Sequence, residues 1–365
     1  MNNGILRVDV VGSLLRPKYL LAARAARAAG ELDATGLRAV EDRAVLEAIQ
    51  LQESCGLTVA TDGEYRRSAY YGGFTDAIEG YEPEVLERVF QGSGGSQIVA
   101  RLPAVVGRLR RRGAIAVDEL SFLQAHVAQR ILAKITLPSA NLMIRYWKVG
   151  RSELAYPDPT EYVRDVATIL REEIAELIRR GATYIQLDAP QYTFLVDPQM
   201  RAQLVRPGTD ADSLLAQMVE IDNQTIAGFP GVTFGVHLCR GNFRGHWLAS
   251  GGYAPIAERL FDGLNAQRFL LEYDSDRAGS FEPLRSVPPG KIVVLGLVST
   301  KVGEVESGDA LRRRVDEAAS FLPLEQLAIS PQCGFASDAA GNPLTWDEQR
   351  RKLATLVKVS QEIWQ

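Results

Sequence analysis

The amino-acid sequence predicts an α/β fold, a single (β/α)8 TIM barrel with a β-hairpin region inserted between its second and third strands. The first observation is that short β-rich segments alternate with helix-length segments along the 365 residues. The second is that eight β-rich segments can be counted. The third is that polar and ionisable residues collect where these segments end, as they do at the functional face of barrels. A doubly wound open sheet is the alternative architecture.

The predicted strands share runs of β-branched and large apolar residues bounded by turn residues. They span residues 8–13, 57–64, 133–139, 183–190, 231–239, 268–273, 291–299 and 326–333. Strands that are separated by helices pair in parallel, because a crossover returns the chain to the same end of the sheet. Eight such units predict that the sheet closes.

Helices are predicted where apolar residues recur at intervals of three and four. In residues 160–180, Val163, Val166 and Leu170 fall on one face, and Gly181 supplies a stop signal. The other predicted helices span residues 38–55, 209–228, 307–320 and 344–363. Each helix follows or precedes a predicted strand, as the barrel requires.

One stretch, residues 65 to about 118, departs from the repeat and predicts the insertion. It contains the glycine-rich segment GSGGS at 92–96, followed by residues 97–117, which alternate in polarity like an antiparallel hairpin. The basic run 108–112 is either an anion-binding patch or a strand edge that faces water. The water-facing edge is favoured because basic side chains commonly protect exposed edges from pairing.

Composition excludes several classes of partner. The chain has 41 basic and 45 acidic residues, so charge gives no reason to expect binding to nucleic acid or to an anionic membrane. Small-molecule substrates are therefore expected. A hydrophobic content of 46% predicts one large core, with residues 1–365 forming a single domain. Three cysteines are too few for a disulfide framework and favour a reducing, cytoplasmic location, and neither a signal peptide nor a membrane span is predicted.

One pair of metal-type donors lies in the apolar segment GVTFGVHLC, where His237 and Cys239 flank Leu238. Alternate residues of a strand point to the same side, so the imidazole and the thiolate can bind one ion. Glu272 and Cys333 end two further predicted strands. These four side chains are ligands that zinc prefers, and they predict a zinc site.

Polar residues also close most of the other predicted strands. They are Ser13, Asp62 with Glu64, Asp188, and Ser299 with Lys301. Each of them alone is usually a helix cap or a turn residue. Their coincidence at several strand ends predicts a functional face. By contrast, Cys55 is expected to be a core residue and His126 a surface or packing residue, and His246 is a weaker candidate ligand.

Six short motifs carry a family resemblance. They are GSLLRP at 12–17, TDGEYRRS at 61–68, QLDAP at 186–190, VHLCRGNF at 236–243, LEYDS at 271–275 and SPQCGF at 330–335. Together they resemble the catalytic half of cobalamin-independent methionine synthase, and most closely its short single-barrel relatives. The resemblance implies zinc bound by His237, Cys239, Glu272 and Cys333. It also implies a thiol acceptor bound by Ser13, Glu64 and Asp188.

The chemistry of the four ligands indicates alkyl transfer to sulfur. Two thiolates and a carboxylate leave the zinc complex with a negative net charge, so the ion is a poor Lewis acid toward carbonyl groups. A substrate thiol that replaces Glu272 would instead lose its proton near neutral pH and become a nucleophile. A purely structural zinc is the alternative, but structural ligands usually lie in short knuckles, whereas these span about 100 residues.

The resemblance further implies a methyl-tetrahydrofolate donor, whose amine needs a general acid to leave. Lys301, in VSTKVGE, stands near the place where full-length synthases carry a histidine. Asp62, Glu64 and solvent are the alternatives for this acid. Trp147 lies about three residues beyond the expected pterin-stacking tryptophan.

The sequence thus predicts a zinc-dependent methyltransferase that converts homocysteine to methionine. The alternatives are an enzyme that opens epoxides with coenzyme M, and a zinc- or thiol-binding relative without turnover.

Overall fold

A computed structural model of the protein describes residues 5–205 and 209–364. The described helices share a position on the outside of the sheet core or over its ends. They are α1 (Lys18–Ala28), α2 (Ala34–Ser54), α3 (Gly72–Ala77), α4 (Val117–His126), α5 (Pro159–Arg179), α6 (Gln191–Phe194), α7 (Pro198–Leu204), α8 (Ala211–Ile226), α9 (Ala257–Gly263), α10 (Gly308–Ala319) and α11 (Trp346–Ile363). No helix in these ranges is long and apolar enough to cross a membrane.

The strands separate into a parallel set and one hairpin. They are β1 (Val59–Ala60), β2 (Ile78–Gln91), β3 (Gln97–Arg111), β4 (Leu132–Ala133), β5 (Ile135–Pro138), β6 (Tyr184–Asp188), β7 (Thr233–Leu238), β8 (Arg268–Glu272), β9 (Ile292–Val298) and β10 (Leu327–Pro331). Strands β5 to β10 form a six-stranded parallel sheet in chain order, and β1 pairs in parallel with β4. The predicted α/β fold with a parallel sheet is confirmed.

The first two predicted strands are much shorter than expected. Residues 8–13 contribute only a parallel bridge between Val8 and Ile329 of β10, and residues 57–64 contribute only the two residues of β1. Here the backbone leaves the sheet after one or two residues and makes hydrogen bonds outside it. The Leu14 amide donates to the carbonyl of Gly63 at 3.1 Å, which joins the two segments directly. The described strands therefore do not form one continuous eight-stranded sheet.

The segment between β1 and β4 contains a long antiparallel hairpin, but its strands differ from those predicted. Residues 97–111 form the single strand β3, which pairs with β2, and the glycine-rich segment at 92–96 is the turn between them. The turn end of the hairpin contacts the loop after β7, where the backbones of Gln91 and Trp247 exchange two hydrogen bonds of 2.7 Å. The hairpin thus reaches across the carboxyl end of the parallel strands.

The basic run 108–112 forms ion pairs, as a water-facing strand edge would. Arg108 binds Glu161 at 2.5 Å, and Arg112 binds Glu79 at 2.8 Å. The side chains of Arg110 and Arg111 also pair with acids, Glu79 and Glu173 respectively. These arginines are already neutralised within the chain, which argues against an anion-binding patch there.

A buried polar cluster ties the chain's first segment to the parallel strands. The carboxylate of Asp9 accepts hydrogen bonds from Lys134 Nζ at 2.8 Å, Tyr184 Oη at 2.6 Å and Arg268 Nε at 3.3 Å. Asp9 and Lys134 are fully buried. Since a buried charge is tolerated only when it is paired and hydrogen-bonded, each member depends on the others.

We expect Asp9→Asn to lower the free energy of unfolding by about 3–5 kcal/mol, because it leaves two buried cations without their shared carboxylate. Urea unfolding followed by circular dichroism would measure this loss. The matched control is Glu317→Gln, which removes an exposed partner of Arg314 and should change stability by less than about 1 kcal/mol. Equal effects of the two substitutions would contradict a structural role for the Asp9 cluster.

Candidate metal centre and substrate cavity

Three metal-type donors meet at the carboxyl ends of the parallel strands. His237 lies in β7, Cys239 follows that strand, and Cys333 follows β10. One potential ligand atom from each residue lies within 4.8 Å of the others. The sequence spacing of two in His237 and Cys239 places both side chains on the same side of the chain, as predicted.

The surroundings of these donors fit a bound metal ion. All three residues are buried, and neither ring nitrogen of His237 has a hydrogen-bond partner within the described residues. A buried imidazole without any partner is uncommon, because desolvating its nitrogens is costly. An imidazole and two thiols at this separation have the chemistry of a soft or borderline metal site.

The loop that carries Cys333 is fixed by its neighbour Gln332. The side-chain oxygen of Gln332 accepts hydrogen bonds from the Thr300 amide at 2.9 Å and from the Thr300 hydroxyl at 2.7 Å. On the other side, a Cβ atom at Gly334 would collide with Ser13 Oγ. The motif around Cys333 therefore holds the thiol in place and allows the first segment of the chain to approach closely.

Glu272, the predicted fourth ligand, ends β8 beside the cluster but is not part of it. Its carboxylate accepts hydrogen bonds from the Arg240 amide at 2.6 Å and from the Arg277 guanidinium at 2.8 Å. Lys301 Nζ lies 3.5 Å away. Burial opposes the charge, but Lys301, Arg240 and Arg277 outweigh it and lower the pKa of Glu272 to about 2.

The three donors open onto a cavity of about 680 Å³. Two predicted acids line it, Glu64 and Asp188, together with Ser13. Burial raises the pKa of Asp188 to about 7 and raises the pKa of Glu64 as well. Glu64 Oε1 has one distant cation, Arg67 Nη1 at 3.7 Å, and no described ion pair involves Asp188. Both carboxyl groups are therefore less compensated than Glu272 and are available to a positively charged ligand group.

Glu64 is held in position by an unusual backbone conformation. Its φ of 58° lies in the left-handed region, which non-glycine residues seldom adopt. Its Oε1 accepts a hydrogen bond from Thr136 at 2.7 Å, whereas Oε2 is buried and has no partner. A Cβ atom at Gly12 would come within 2.5 Å of Oε1, so the approach requires glycine. Strain of this kind is typical of functional residues.

Three other predicted site residues do not line this cavity. Asp62 accepts a hydrogen bond from the Glu64 amide at 2.9 Å and stabilises the turn beneath it. Trp147 donates its indole N–H to the carbonyl of Tyr156 at 2.8 Å. Lys301 lines a second cavity of about 550 Å³, on the far side of Glu272.

Several residues near the site were not predicted from the sequence. Tyr70, Phe90 and Arg145 line the cavity, and Arg277 binds Glu272. Phe90 lies in β2, Tyr70 lies in a turn, and Arg145 and Arg277 lie in 3-10 helices too short for a periodic pattern to mark them. For Arg277, the only signal in the sequence was its position five residues after Glu272.

The remaining cysteine and histidines lie away from the donor cluster. Cys55 contacts the carbonyl of Arg350 at 3.5 Å, and His126 stacks on Phe122, as expected for packing residues. His246 contacts Ser96 at the hairpin turn at 3.2 Å.

These features define an α/β protein with a histidine–cysteine–cysteine centre at the carboxyl ends of parallel strands, open to an acid-lined cavity. The chain matches the model of the cobalamin-independent synthase catalytic domain over residues 8–362, and it belongs to that family. The family predicted from the motifs is confirmed.

Similar proteins cover nearly the whole chain. The uncharacterized protein YxjH of Bacillus subtilis is 37% identical over 98% of this chain and 94% of its own length. The methionine synthase of Pyrococcus abyssi is 26% identical over 91% of this chain and 86% of its own. The structure of a B12-independent methionine synthase from Shewanella sp. W3-18-1 has the same fold, with a TM-score of 0.76, 20% identity, and coverage of 99% and 98%.

Asp62 gives the stability of the protein a pH dependence that can be tested. Burial raises the pKa of Asp62 to about 7, so between about pH 4 and pH 7 the folded state holds a proton that the unfolded state releases. The contribution of Asp62 to stability therefore falls as the pH rises through this range. Asp62→Asn keeps the acceptor for the Glu64 amide but cannot ionise.

We expect Asp62→Asn to raise the free energy of unfolding by about 2 kcal/mol more at pH 8 than at pH 5. Denaturant unfolding at both pH values would measure the difference. Asp118→Asn, at an exposed position in the first turn of α4, is the matched control and should show no such dependence. A flat profile for Asp62→Asn would contradict the raised pKa.

Proposed function

We propose that this protein transfers a methyl group from a methyl-tetrahydrofolate-type donor to the thiol of homocysteine, giving methionine. The single observation that carries the proposal is the shared cavity of the His237–Cys239–Cys333 cluster and the buried acids Glu64 and Asp188. The first group suits a thiol, and the second suits an ammonium group. Homocysteine carries both groups a short distance apart.

We propose zinc as the metal, bound by His237, Cys239 and Cys333, with Glu272 as the fourth ligand. When bound, zinc would lower the pKa of a substrate thiol so that sulfur is nucleophilic near neutral pH. For Glu272 to reach the metal, its carboxylate would have to turn from Arg277, which it now contacts at 2.8 Å. Its position beside the cluster supports this role.

The chain's own residues would hold the acceptor. Glu64 and Asp188 would accept hydrogen bonds from the ammonium group of homocysteine, and Ser13 lies beside them in the same cavity. Binding of this cation would favour the ionised form of both acids. In the transfer, the sulfur–methyl bond forms as the nitrogen–methyl bond of the donor breaks, and the donor nitrogen takes up a proton.

We keep Lys301 as the candidate acid for that proton, with Asp62 and Glu64 as alternatives. Lys301 Nζ faces Glu272 and Asp274, at 3.5 and 3.8 Å, so a direct transfer requires the lysine side chain to move. Glu64 already lines the cavity. Trp147 keeps its proposed role beside the donor only if its indole turns from Tyr156.

The proposal also includes the barrel and the cellular setting. We propose that the parallel strands and the bridged first segment form one interrupted (β/α)8 TIM barrel, with the hairpin as an insertion and residues 1–365 as one domain. Small-molecule substrates and a cytoplasmic location stay predictions. The alternatives are a coenzyme M-dependent opening of epoxides and a zinc- or thiol-binding relative without turnover.

The metal centre is tested by removing its thiols. Purified protein should contain about one zinc ion per chain, and Cys239→Ser or Cys333→Ser should lower zinc affinity by about 10²-fold or more and abolish methyl transfer. Metal analysis after dialysis against a chelator would measure the loss. Cys55→Ser, a matched change at a thiol outside the cluster, should retain zinc. Full zinc content in a Cys239→Ser, Cys333→Ser double variant would reject the ligand assignment.

The acceptor is tested at Asp188. We expect Asp188→Asn to weaken homocysteine binding about tenfold, or about 1.4 kcal/mol, with zinc content unchanged, because one partner of the ammonium group loses its charge. Calorimetry with homocysteine and with coenzyme M would measure this. Asp222→Asn, at a buried aspartate bonded to Tyr192 outside the cavity, is the matched control. Tight binding of coenzyme M without binding of homocysteine would favour the epoxide-opening alternative.

A further inference from the structure

Two arginines approach the cavity from different elements and have no acidic partner. Arg145 lies in the short helical turn after β5 and lines the cavity wall. Arg88 lies in β2 of the hairpin, on the same side of the strand as the buried residues Leu86 and Phe90. Phe90 itself lines the cavity, so this side of the hairpin faces the site.

The described residues place no carboxylate within ion-pair distance of either guanidinium. Arg145 donates to the hydroxyl of Tyr70 at 3.0 Å and lies 5.4 Å from the ring centre of Tyr146. Arg88 makes no described side-chain hydrogen bond or ion pair. Burial lowers the pKa of Arg88, and the nearby charge of Arg145 lowers it further. The two cations are therefore close enough to repel each other.

This arrangement contrasts with the other arginines of the hairpin. Arg101, Arg110, Arg111 and Arg112 each pair with a glutamate, although three of them are largely exposed. The two inward-facing arginines are less exposed and would gain more from a partner, since a charge removed from water must be compensated.

The tyrosines around Arg145 do not supply the missing negative charge. Burial raises the pKa of Tyr70, and it raises the pKa of Tyr146 as well, so both hydroxyls stay neutral at physiological pH. The Tyr70 hydroxyl occupies one donor of the guanidinium, which has five. Arg145 therefore keeps donors for a ligand, and its delocalised charge stays uncompensated.

We infer that Arg145 and Arg88 form an anion-binding subsite that takes a carboxylate of a substrate bound in this cavity. A guanidinium binds a carboxylate through two parallel hydrogen bonds, and a second arginine can neutralise the repulsion through the same anion. The inference rests on the proposed function for the identity of that substrate. The carboxylate is either that of the acceptor amino acid or one on the glutamate tail of the donor.

The subsite separates the charges of the ligands along the cavity. Glu64 and Asp188 offer negative charge for an ammonium group, while Arg145 in the cavity wall and Arg88, two residues before the lining residue Phe90, offer positive charge for a carboxylate. Arg145 and Cys239 line the same cavity, so the subsite and the donor cluster belong to one site. A substrate with both charges, or two substrates side by side, would satisfy both groups.

The test is calorimetry on the full chain, with and without zinc, using two probes. The probes are homocysteine and 5-methyltetrahydrofolate, the latter with one and with three glutamates. We expect Arg145→Met and Arg88→Met each to weaken at least one probe about tenfold or more, and raised salt to weaken wild-type binding of that probe. Loss for homocysteine assigns the subsite to the acceptor, and loss for the folate assigns it to the donor.

Two further variants make the result decisive. Arg145→Lys keeps the charge without the paired geometry and should bind with intermediate affinity, which also covers the case in which Arg145→Met fails to fold. Arg110→Met, at an exposed hairpin arginine that pairs with Glu79 outside the cavity, is the matched control and should bind both probes as wild type does. The inference is overturned if the folded Arg145 and Arg88 variants bind both probes with unchanged affinity.

The outcome is separable from that of the proposed function. Arginine-dependent binding of a carboxylate probe by a protein that methylates no thiol would uphold the subsite and reject the methyltransferase assignment. If the Arg145 and Arg88 variants formed methionine and bound both probes with wild-type affinity, the methyltransferase assignment would stand and the subsite would be rejected.

Discussion

The buried carboxylate of Asp9 fixes the first segment of the chain, which carries Ser13 to the candidate metal centre. This single side chain binds groups from three other segments, Lys134, Tyr184 and Arg268, and so holds the first segment of the chain inside the parallel strands. The anchoring has a direct consequence at the other end of the strands. Ser13 lies only four residues beyond Asp9, and its carbonyl accepts a hydrogen bond from Phe335, two residues after Cys333. The first and last segments of the chain thus meet at the candidate metal centre because a buried ion pair fixes the entry of the chain.

Two groups of buried charges lie at opposite ends of these strands, and they are compensated differently. In the Asp9 cluster each charge has its partner within the chain, which is what a structural cluster needs. At the carboxyl ends the compensation is uneven. Glu272 is surrounded by cations, and its pKa falls to about 2, while burial raises the pKa of Asp188 to about 7. Asp188 and Arg145 line the cavity without a described ion pair, and Glu64 has only Arg67 at 3.7 Å, which is why these residues are assigned to ligands and not to stability.

The sequence predicted the parts of the fold and site that follow from local patterns. The period of two in a strand placed His237 beside Cys239, and strand ends placed Asp188 and Cys333 at the same face. Where tertiary contacts override local pattern, prediction was poorer. Residues 8–13 read as a strand, but their polar contacts reduce the pairing to Val8. Residues 97–117 alternate in polarity and read as a hairpin by themselves, whereas residues 97–111 form one strand whose partner, β2, lies before the glycine-rich turn. Arg145 and Arg277 lie in short 3-10 helices, where a cation that faces the site has the same sequence signal as one that faces water.

The contacts of Glu272 bear on how readily a thiol could enter the proposed site. The Glu272 carboxylate accepts hydrogen bonds from the Arg240 amide and from Arg277, which compete with a metal for its lone pairs, so it would be the weakest of the four proposed ligands. The three remaining donors form a buried group with one open direction, toward the cavity that Glu64 and Asp188 line. An acceptor held by those acids would therefore present its sulfur to the coordination position proposed for Glu272, the weakest of the four ligands. Arg277 and Lys301 would keep the displaced carboxylate ionised and close by, so that it could return once the methylated product left.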